Sequence, residues 1–111
     1  MPFIKAKTKY VRISPRKARL AAHLIRRLGV EEALLQLKAS PLKGARLLKK
    51  TLDSAIANAS INLDLKKEVL KVAEVRVDEG PTMKRAKPKN RGGRVPIMKR
   101  MSHFTITLLA E

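Results

Sequence analysis

Gly80-Pro81-Thr82-Met83-Lys84-Arg85-Ala86-Lys87-Pro88-Lys89-Asn90-Arg91-Gly92-Gly93-Arg94-Val95-Pro96-Ile97-Met98-Lys99-Arg100-Met101-Ser102-His103 is the stretch on which the reading of this chain turns. Eight of these residues are Lys or Arg, none is acidic, and the apolar content is too low to bury a face of its own. Two β-like segments bound it, Val69 to Val77 before and Phe104 to Leu109 after. Gly92-Gly93 sits midway, and a Gly-Gly pair accepts the positive φ that a tight hairpin turn demands. The pattern predicts a β-ribbon whose legs leave a sheet together and carry cations outward. Legs of about ten residues would reach on the order of 30 Å, at about 3.3 Å per residue. Pro88 and Pro96 each remove a backbone donor, so the ladder is expected to break there. A disordered basic loop between two strands has the same composition. Either form needs a polyanion to hold it in place.

Outward from the ribbon, residues 3–13 alternate. Ile4, Ala6, Thr8 and Tyr10 fall on one side and Lys5, Lys7 and Lys9 on the other, as in a half-buried strand with a lysine-lined outer face. Those lysines suit a polyanion, and they equally suit protection of a sheet edge. Ser14-Pro15 opens a helix, because Ser is a favoured N-cap and proline's missing N–H costs nothing at the first helical position. Ala21, Leu24, Ile25 and Leu28 give this helix a buried stripe, and Gly29 is expected to stop it. Arg16, Lys17 and Arg19 in its first turn oppose the helix dipole, a local cost that suggests a binding role. Glu31-Glu32 starts a second helix, striped by Val30, Ala33, Leu34 and Leu37. Ser40-Pro41 begins a third, in which Ala45, Leu48, Leu52, Ala55, Ile56 and Ala59 hold one face. Lys43, Arg46, Lys49 and Lys50 read as its solvated side. Asn58, Ser60 and Asn62 are expected to end it, and Leu63-Asp64-Leu65 leads to the second strand. The order makes an α+β fold, a small antiparallel three-stranded sheet packed with three α-helices, with a long protruding basic β-hairpin. On this reading residues 1–111 form a single domain, and the hairpin projects over residues 80–103.

The charge distribution separates function classes. Net charge is +17, from 26 basic and 9 acidic residues. Residues 1–29 hold nine Lys/Arg and no acid, residues 80–100 hold eight and no acid, and the remainder holds nine of each sign. The whole excess therefore sits in two segments, which is a footprint for a polyanion rather than a general solubility device. There is no cysteine, so neither a disulfide framework nor a Cys-based zinc site is possible. His23 and His103 have no carboxylate or Cys beside them in sequence, so no metal or other cofactor is expected. No Gly-rich phosphate loop opens a helix. Asp78-Glu79 reads as a strand-end turn, the alternative being an anchor for Arg85, Arg100 or a Mg²⁺ ion. An enzyme is not expected. No run of 18 or more apolar residues occurs, and no apolar segment follows the basic N-terminus, so neither a membrane span nor a secretory signal is expected. Phe3, Tyr10 and Phe104 are the aromatics and all fit strand positions, leaving no platform for stacked bases. Contact with phosphates, sugars and overall shape suits folded RNA, or DNA gripped by a basic ribbon. A cationic membrane-active protein is a third reading.

Three stretches together resemble the bacterial large-subunit ribosomal protein family numbered twenty-two. They are Ile13-Ser14-Pro15-Arg16-Lys17-Ala18-Arg19-Leu20, then Ser54-Ala55-Ile56-Ala57-Asn58-Ala59, then Val77-Asp78-Glu79-Gly80-Pro81-Thr82-Met83-Lys84-Arg85 followed by Lys99-Arg100 and Ser102-His103-Phe104-Thr105. Order and spacing are kept, and the resemblance spans nearly the whole chain. It implies an α+β body on the outside of the large subunit and a long hairpin running inward through 23S ribosomal RNA, its tip lining the nascent-peptide exit tunnel. It also implies a structural, non-enzymatic protein of the cytoplasmic ribosome that assists subunit assembly. The implied partners are 23S ribosomal RNA, other large-subunit proteins and, at the tip, the nascent peptide, with no membrane and no homo-oligomer. Carried over by position, Lys84, Arg85, Lys87, Lys99 and Arg100 lie on the hairpin legs. Lys89, Asn90, Arg91, Gly92, Gly93 and Arg94 make the tunnel-facing tip. Lys5, Lys7, Lys9, Arg12, Ser14, Arg16, Lys17 and Arg19 on the body, with Ser102 and His103 after the ribbon, complete the implied RNA-binding set. Gly93, Pro96 and the linker from Ser60 to Lys67 depart from the family's usual pattern. In the family, altered hairpins change macrolide action and peptide-induced stalling, and a similar role is implied.

Overall fold

Alternating and helix-spaced apolar residues resolve into β1 (Phe3–Val11), α1 (Pro15–Ala22), α2 (Val30–Ala39), α3 (Lys43–Leu63), β2 (Leu70–Glu79), β3 (Met83–Pro88), β4 (Arg94–Lys99) and β5 (Ser102–Ala110). This is the order in a computed structural model that describes residues 3–88 and 90–110. The strands β1, β5 and β2 make an antiparallel sheet in that spatial order, and β3 pairs with β4, so the α+β class read from the sequence holds. The molecule is elongated, 62 × 25 × 17 Å.

The core lies between the sheet and the helices. Phe104, Ile106 and Leu108 of the central strand β5 are fully buried, flanked by Ile4 and Ala6 of β1 and by Val72, Val75 and Val77 of β2. Facing them are Leu48, Leu52, Ala55 and Ala59 of α3, with Ala18 and Ala21 of α1 and Val30, Ala33 and Leu37 of α2. A period of two on the strands thus meets the helical period on the other layer. At the crossing of α1 and α3, a Cβ on Gly44 would come within 3.2 Å of Ala21 Cβ and Ile13 Cδ1, so a side chain there would push the two neighbours back by a few tenths of an ångström. The Oγ1 atoms of Thr8 and Thr51 share a hydrogen bond of 2.8 Å, which satisfies two polar groups where α3 meets β1.

Several local expectations shift. Tyr10 does not join Ile4 and Ala6. The β1–β5 register slips between Thr8 and Val11, Tyr10 takes φ 59°, and its side chain is 61 % exposed. A bulge of this kind re-aims side chains out of the alternation. The first helix ends at Ala22 rather than at Gly29. Beyond it the chain continues in tighter turns, Leu24 N–H to Ala21 O at 3.1 Å and Ile25 N–H to Ala22 O at 3.3 Å, and Arg27 at φ 64° reverses it. Gly29 instead caps α2 from extended backbone, φ −63° and ψ 153°. Ser40 closes α2 by donating its N–H to Gln36 O, and α3 starts only at Lys43. Asn58, Ser60 and Asn62 stay helical, and Asp64 ends α3 in the left-handed region at φ 53°, which Asp tolerates better than most residues.

The ribbon grows directly out of the sheet. Glu79 pairs with Ser102, and the next residue, Gly80, donates its N–H to Met101 O at 2.9 Å. From there β3 and β4 pair from Met83↔Lys99 to Pro88↔Arg94 without a register shift. Each leg has six residues, so the paired length is on the order of 20 Å, shorter than the sequence suggested. Neither proline breaks the ladder. Pro88 and Pro96 fall on one alternate set of pairs, 84↔98, 86↔96 and 88↔94. Lys84 O, on that set, accepts from Arg85 Nη1 at 3.0 Å, as expected if the set turns its backbone groups outward. A missing N–H there costs the ladder nothing. The positive φ values of the turn fall on Arg91 (67°) and Gly92 (75°), in a connection wider than a two-residue Gly-Gly hairpin. Lys89, assigned to the tip, lies outside the described residues, as do the side chains of Asn90 and Arg94.

Among the described residues, none from 82 to 100 belongs to the core cluster. Replacing residues 83–98 with a short Gly-containing turn should therefore leave one cooperative thermal transition, and its loss would show that the ribbon packs into the core. Ser102→Ala would leave the buried Ile13 carbonyl without its donor and should cost about 1–3 kcal/mol in urea denaturation. Arg19→Ala removes the bond from Arg19 Nη2 to Val77 O that ties α1 to β2, and should cost about 1 kcal/mol, against less than about 0.5 kcal/mol for Arg16→Ala.

Candidate nucleic-acid interface

The link from β1 to α1 consists of Arg12, Ile13 and Ser14, and the fold pins it from two sides. Ile13 is buried, and its carbonyl accepts the Ser102 hydroxyl at 2.7 Å, tying the link to the root of the ribbon on β5. Ser14 caps α1, its Oγ accepting the Lys17 N–H at 3.4 Å. From the start of α3, Lys43 Nζ donates to Arg12 O at 3.0 Å. These ties leave an open groove of about 790 Å³ between the N-terminal ends of α1 and α3 on one side and β4 on the other.

The groove has a consistent chemistry. Arg12, Lys17, Lys43, Lys99 and Arg100 supply its cations. Leu20, Leu42, Ile97 and Met98 supply its apolar part, and no acid lines it among the described residues. Neither helix has an acid in its first turn, so the unpaired N–H groups and peptide dipoles there add to the positive potential. The two acid-free segments of the sequence meet here, Arg12, Ser14 and Lys17 from one and Lys99 and Arg100 from the other. Lys43 is an addition. Sequence spacing alone puts it on the solvated face of α3, and its place in an acid-free first turn is the signal for a binding role.

The ribbon distributes its cations in a way the sequence alone did not show. Lys84 faces Met98, Arg85 faces Ile97, Lys87 faces Val95 and Lys99 faces Met83. Each cation thus lies opposite an apolar residue, avoiding the like-charge pairs that destabilise a ladder. Cross-strand partners share a face, so Arg85, Lys87 and Lys99 lie on one side and Lys84 on the other.

Other expected contact residues are placed elsewhere. Arg16 is exposed on α1, whereas Arg19 spends Nη2 on Val77 O at 3.1 Å. Lys5, Lys7 and Lys9 are exposed on β1, outside the groove. Across the sheet Lys5 lines up with Thr107 and Glu74, and Lys7 with Thr105 and Arg76. Arg76 lies 3.7 Å from Glu74 and 3.5 Å from Asp78, so Asp78 pairs within β2 and not with Arg85 or Arg100. Ser102 is a correction: it is fully buried and its hydroxyl is committed to Ile13, so its side chain has no surface to offer RNA. His103 is half-buried. Its Nδ1 accepts the Tyr10 N–H at 3.1 Å, and the Tyr10 ring meets it edge-on at 5.1 Å. In the neutral ring the proton therefore sits on Nε2. The ring also crowds Gly80, where a Cβ would lie 3.1 Å from Cε1. Among the described residues, no group of three or more His, Cys, Asp or Glu side chains is placed to hold a metal ion, and no helix is long and apolar enough to cross a membrane.

Residues 6–109 match the family model described as ribosomal protein L22p/L17e. The chain is 72 % identical over 106 residues, 96 % of each chain, to the large ribosomal subunit protein uL22 of Protochlamydia amoebophila. It is 61 % identical over 102 residues, 92 % of each chain, to the protein of the same name from Chlamydia caviae, and 59 % identical over 102 residues to that of Chlamydia trachomatis serovar L2. The chain belongs to the ribosomal protein L22p/L17e family, and is a structural protein of the large ribosomal subunit rather than an enzyme.

Proposed function

We propose that the chain binds 23S ribosomal RNA through the groove between α1, α3 and the ribbon and through the cations on both ribbon faces, and that this binding assists subunit assembly. The observation that carries the reading is the convergence of four cations from the two acid-free segments with Lys43 of α3, no acid lining the groove among the described residues, beside two helix N-termini. Phosphates are the ligands such a site recognises, and membership in a ribosomal family favours RNA over DNA. Residues 1–111 act as one domain, and residues 80–103 project from it. Lys89 to Arg94 then stand at the tunnel wall, where their cations meet the nascent peptide, while other large-subunit proteins contact the body. The chain acts as a single copy in the ribosome, and membranes play no part.

Binding to in vitro transcribed 23S ribosomal RNA should follow counterion release. Neutralising on the order of eight phosphates gives a slope of about −6 to −8 in log K against log salt, and a slope shallower than about −2 would contradict the reading. Alanine at Lys17, Lys43 and Lys99 together should make the slope shallower by about 2 to 3. Alanine at Lys89, Arg91 and Arg94 together should leave incorporation into the subunit unchanged while altering macrolide sensitivity or the stalling of particular nascent peptides. Absence of the tip variant from subunits, measured by quantitative mass spectrometry, would reverse the assigned roles.

A further inference from the structure

We infer that the groove receives a single unstacked nucleotide, with the base against the apolar floor and its flanking phosphates on the cationic rim; this rests on the RNA-binding reading above. The floor is what a smooth backbone contact leaves unexplained. Leu20 is 58 % exposed, Leu42 40 %, Ile97 38 % and Met98 45 %, and all four line this one groove. One exposed leucine needs no explanation. Leu20 of α1, Leu42 on the approach to α3, and Ile97 and Met98 from alternate faces of β4 all line the groove, and patches rimmed by polar groups mark binding sites.

A duplex backbone offers phosphate and sugar and nothing to cover such a floor. A base turned out of its helix offers a flat, weakly polar face, and it arrives with a phosphate on either side. That arrangement matches an apolar centre bounded by Lys17 and Lys99. The groove, about 790 Å³, falls within the range of about 300–1,000 Å³ typical of sites that enclose small ligands. No aromatic residue lines it, so the base packs on aliphatic side chains, and the guanidinium of Arg12 or Arg100 is the planar group available to stack on it. Recognition of unpaired nucleotides is also how sequence-selective contacts to folded RNA are usually made.

The test uses the full chain and 23S ribosomal RNA transcribed from the Protochlamydia amoebophila gene. Ultraviolet cross-linking followed by mass spectrometry should place a nucleotide adduct on the peptide containing Leu42 or Met98, at an RNA position unpaired in the complex. Leu42→Ser and Met98→Ser, each checked by circular dichroism for retained fold, should together weaken binding about tenfold without changing the salt slope. Met98 lies on the ribbon, outside the core, so that single variant keeps the test sound if Leu42→Ser misfolds. Unchanged affinity in the apolar variants, with a shallower slope in Lys17→Ala, would overturn this inference and leave the RNA-binding reading standing. Unchanged affinity and slope in both sets would overturn both. Cross-links in assembled subunits from Met98 to an acidic protein segment, with none to RNA, would also overturn it.

Discussion

Ser102 donates its hydroxyl hydrogen to the Ile13 carbonyl at 2.7 Å in a fully buried site, across 89 positions of sequence. That neutral bond joins the two parts of the chain that carry all of its excess charge. On one side is the link that starts α1; on the other is the strand that receives the ribbon. Segments with nine and eight cations and no acid repel one another when brought together. The described structure does not offset this with ion pairs between them. Burial of Phe104, Ile106 and Leu108 beneath α3, with a bond that has no charge to screen, holds the two segments at a fixed spacing. A groove that still has its full positive potential in the free protein is the consequence.

The same economy governs the ribbon. Facing Lys99, Lys87, Arg85 and Lys84 with Met83, Val95, Ile97 and Met98 keeps these pairs free of opposed like charges without placing an acid beside them. Placing both prolines on one alternate set of pairs lets a sequence rich in turn residues remain a paired ribbon. The edges of the main sheet are handled differently. Leu28 O accepts the Val72 N–H at 2.9 Å and Arg19 reaches Val77 O beside β2, while Asn58 Nδ2 donates to Lys5 O at 3.3 Å beside β1. Some of the polar side chains that looked like RNA contacts in the sequence therefore serve to close the fold.

The elements that read well from sequence were those with strong periodicity. The alternation of Ile4 and Ala6, the stripe of Ala45, Leu48, Leu52, Ala55 and Ala59, and the apolar strand around Phe104 each fixed both the element and its buried face. Boundaries set by backbone reversal did not read well. Arg27, Asp64 and Tyr10 hold positive φ, and no spacing rule marks a residue of those types as a reversal point. Gly29 and Ser40-Pro41 look like stop and start signals and serve other purposes: Gly29 caps the start of α2, and Ser40 closes α2 and accepts the Leu42 N–H at 3.3 Å before α3 begins. At the interface, the excess of cations in Arg12 to Lys17 and Lys99-Arg100 was legible. Their convergence with Lys43 was not, since it depends on the crossing of α1 with α3 at Gly44. Ser102 shows the opposite failure. A hydroxyl beside a basic stretch looks like a phosphate ligand until burial assigns its one hydrogen to a carbonyl.

The claim that RNA fills the meeting point of the two segments is tested most directly by lysine footprinting. Acetylation rates of individual lysines would be compared by mass spectrometry between the free chain and the same chain in assembled large subunits. Lys17, Lys43 and Lys99, which line one groove, should become protected together in the subunit. Lys17 and Lys99 reacting in the subunit at the rates of the free protein would contradict it.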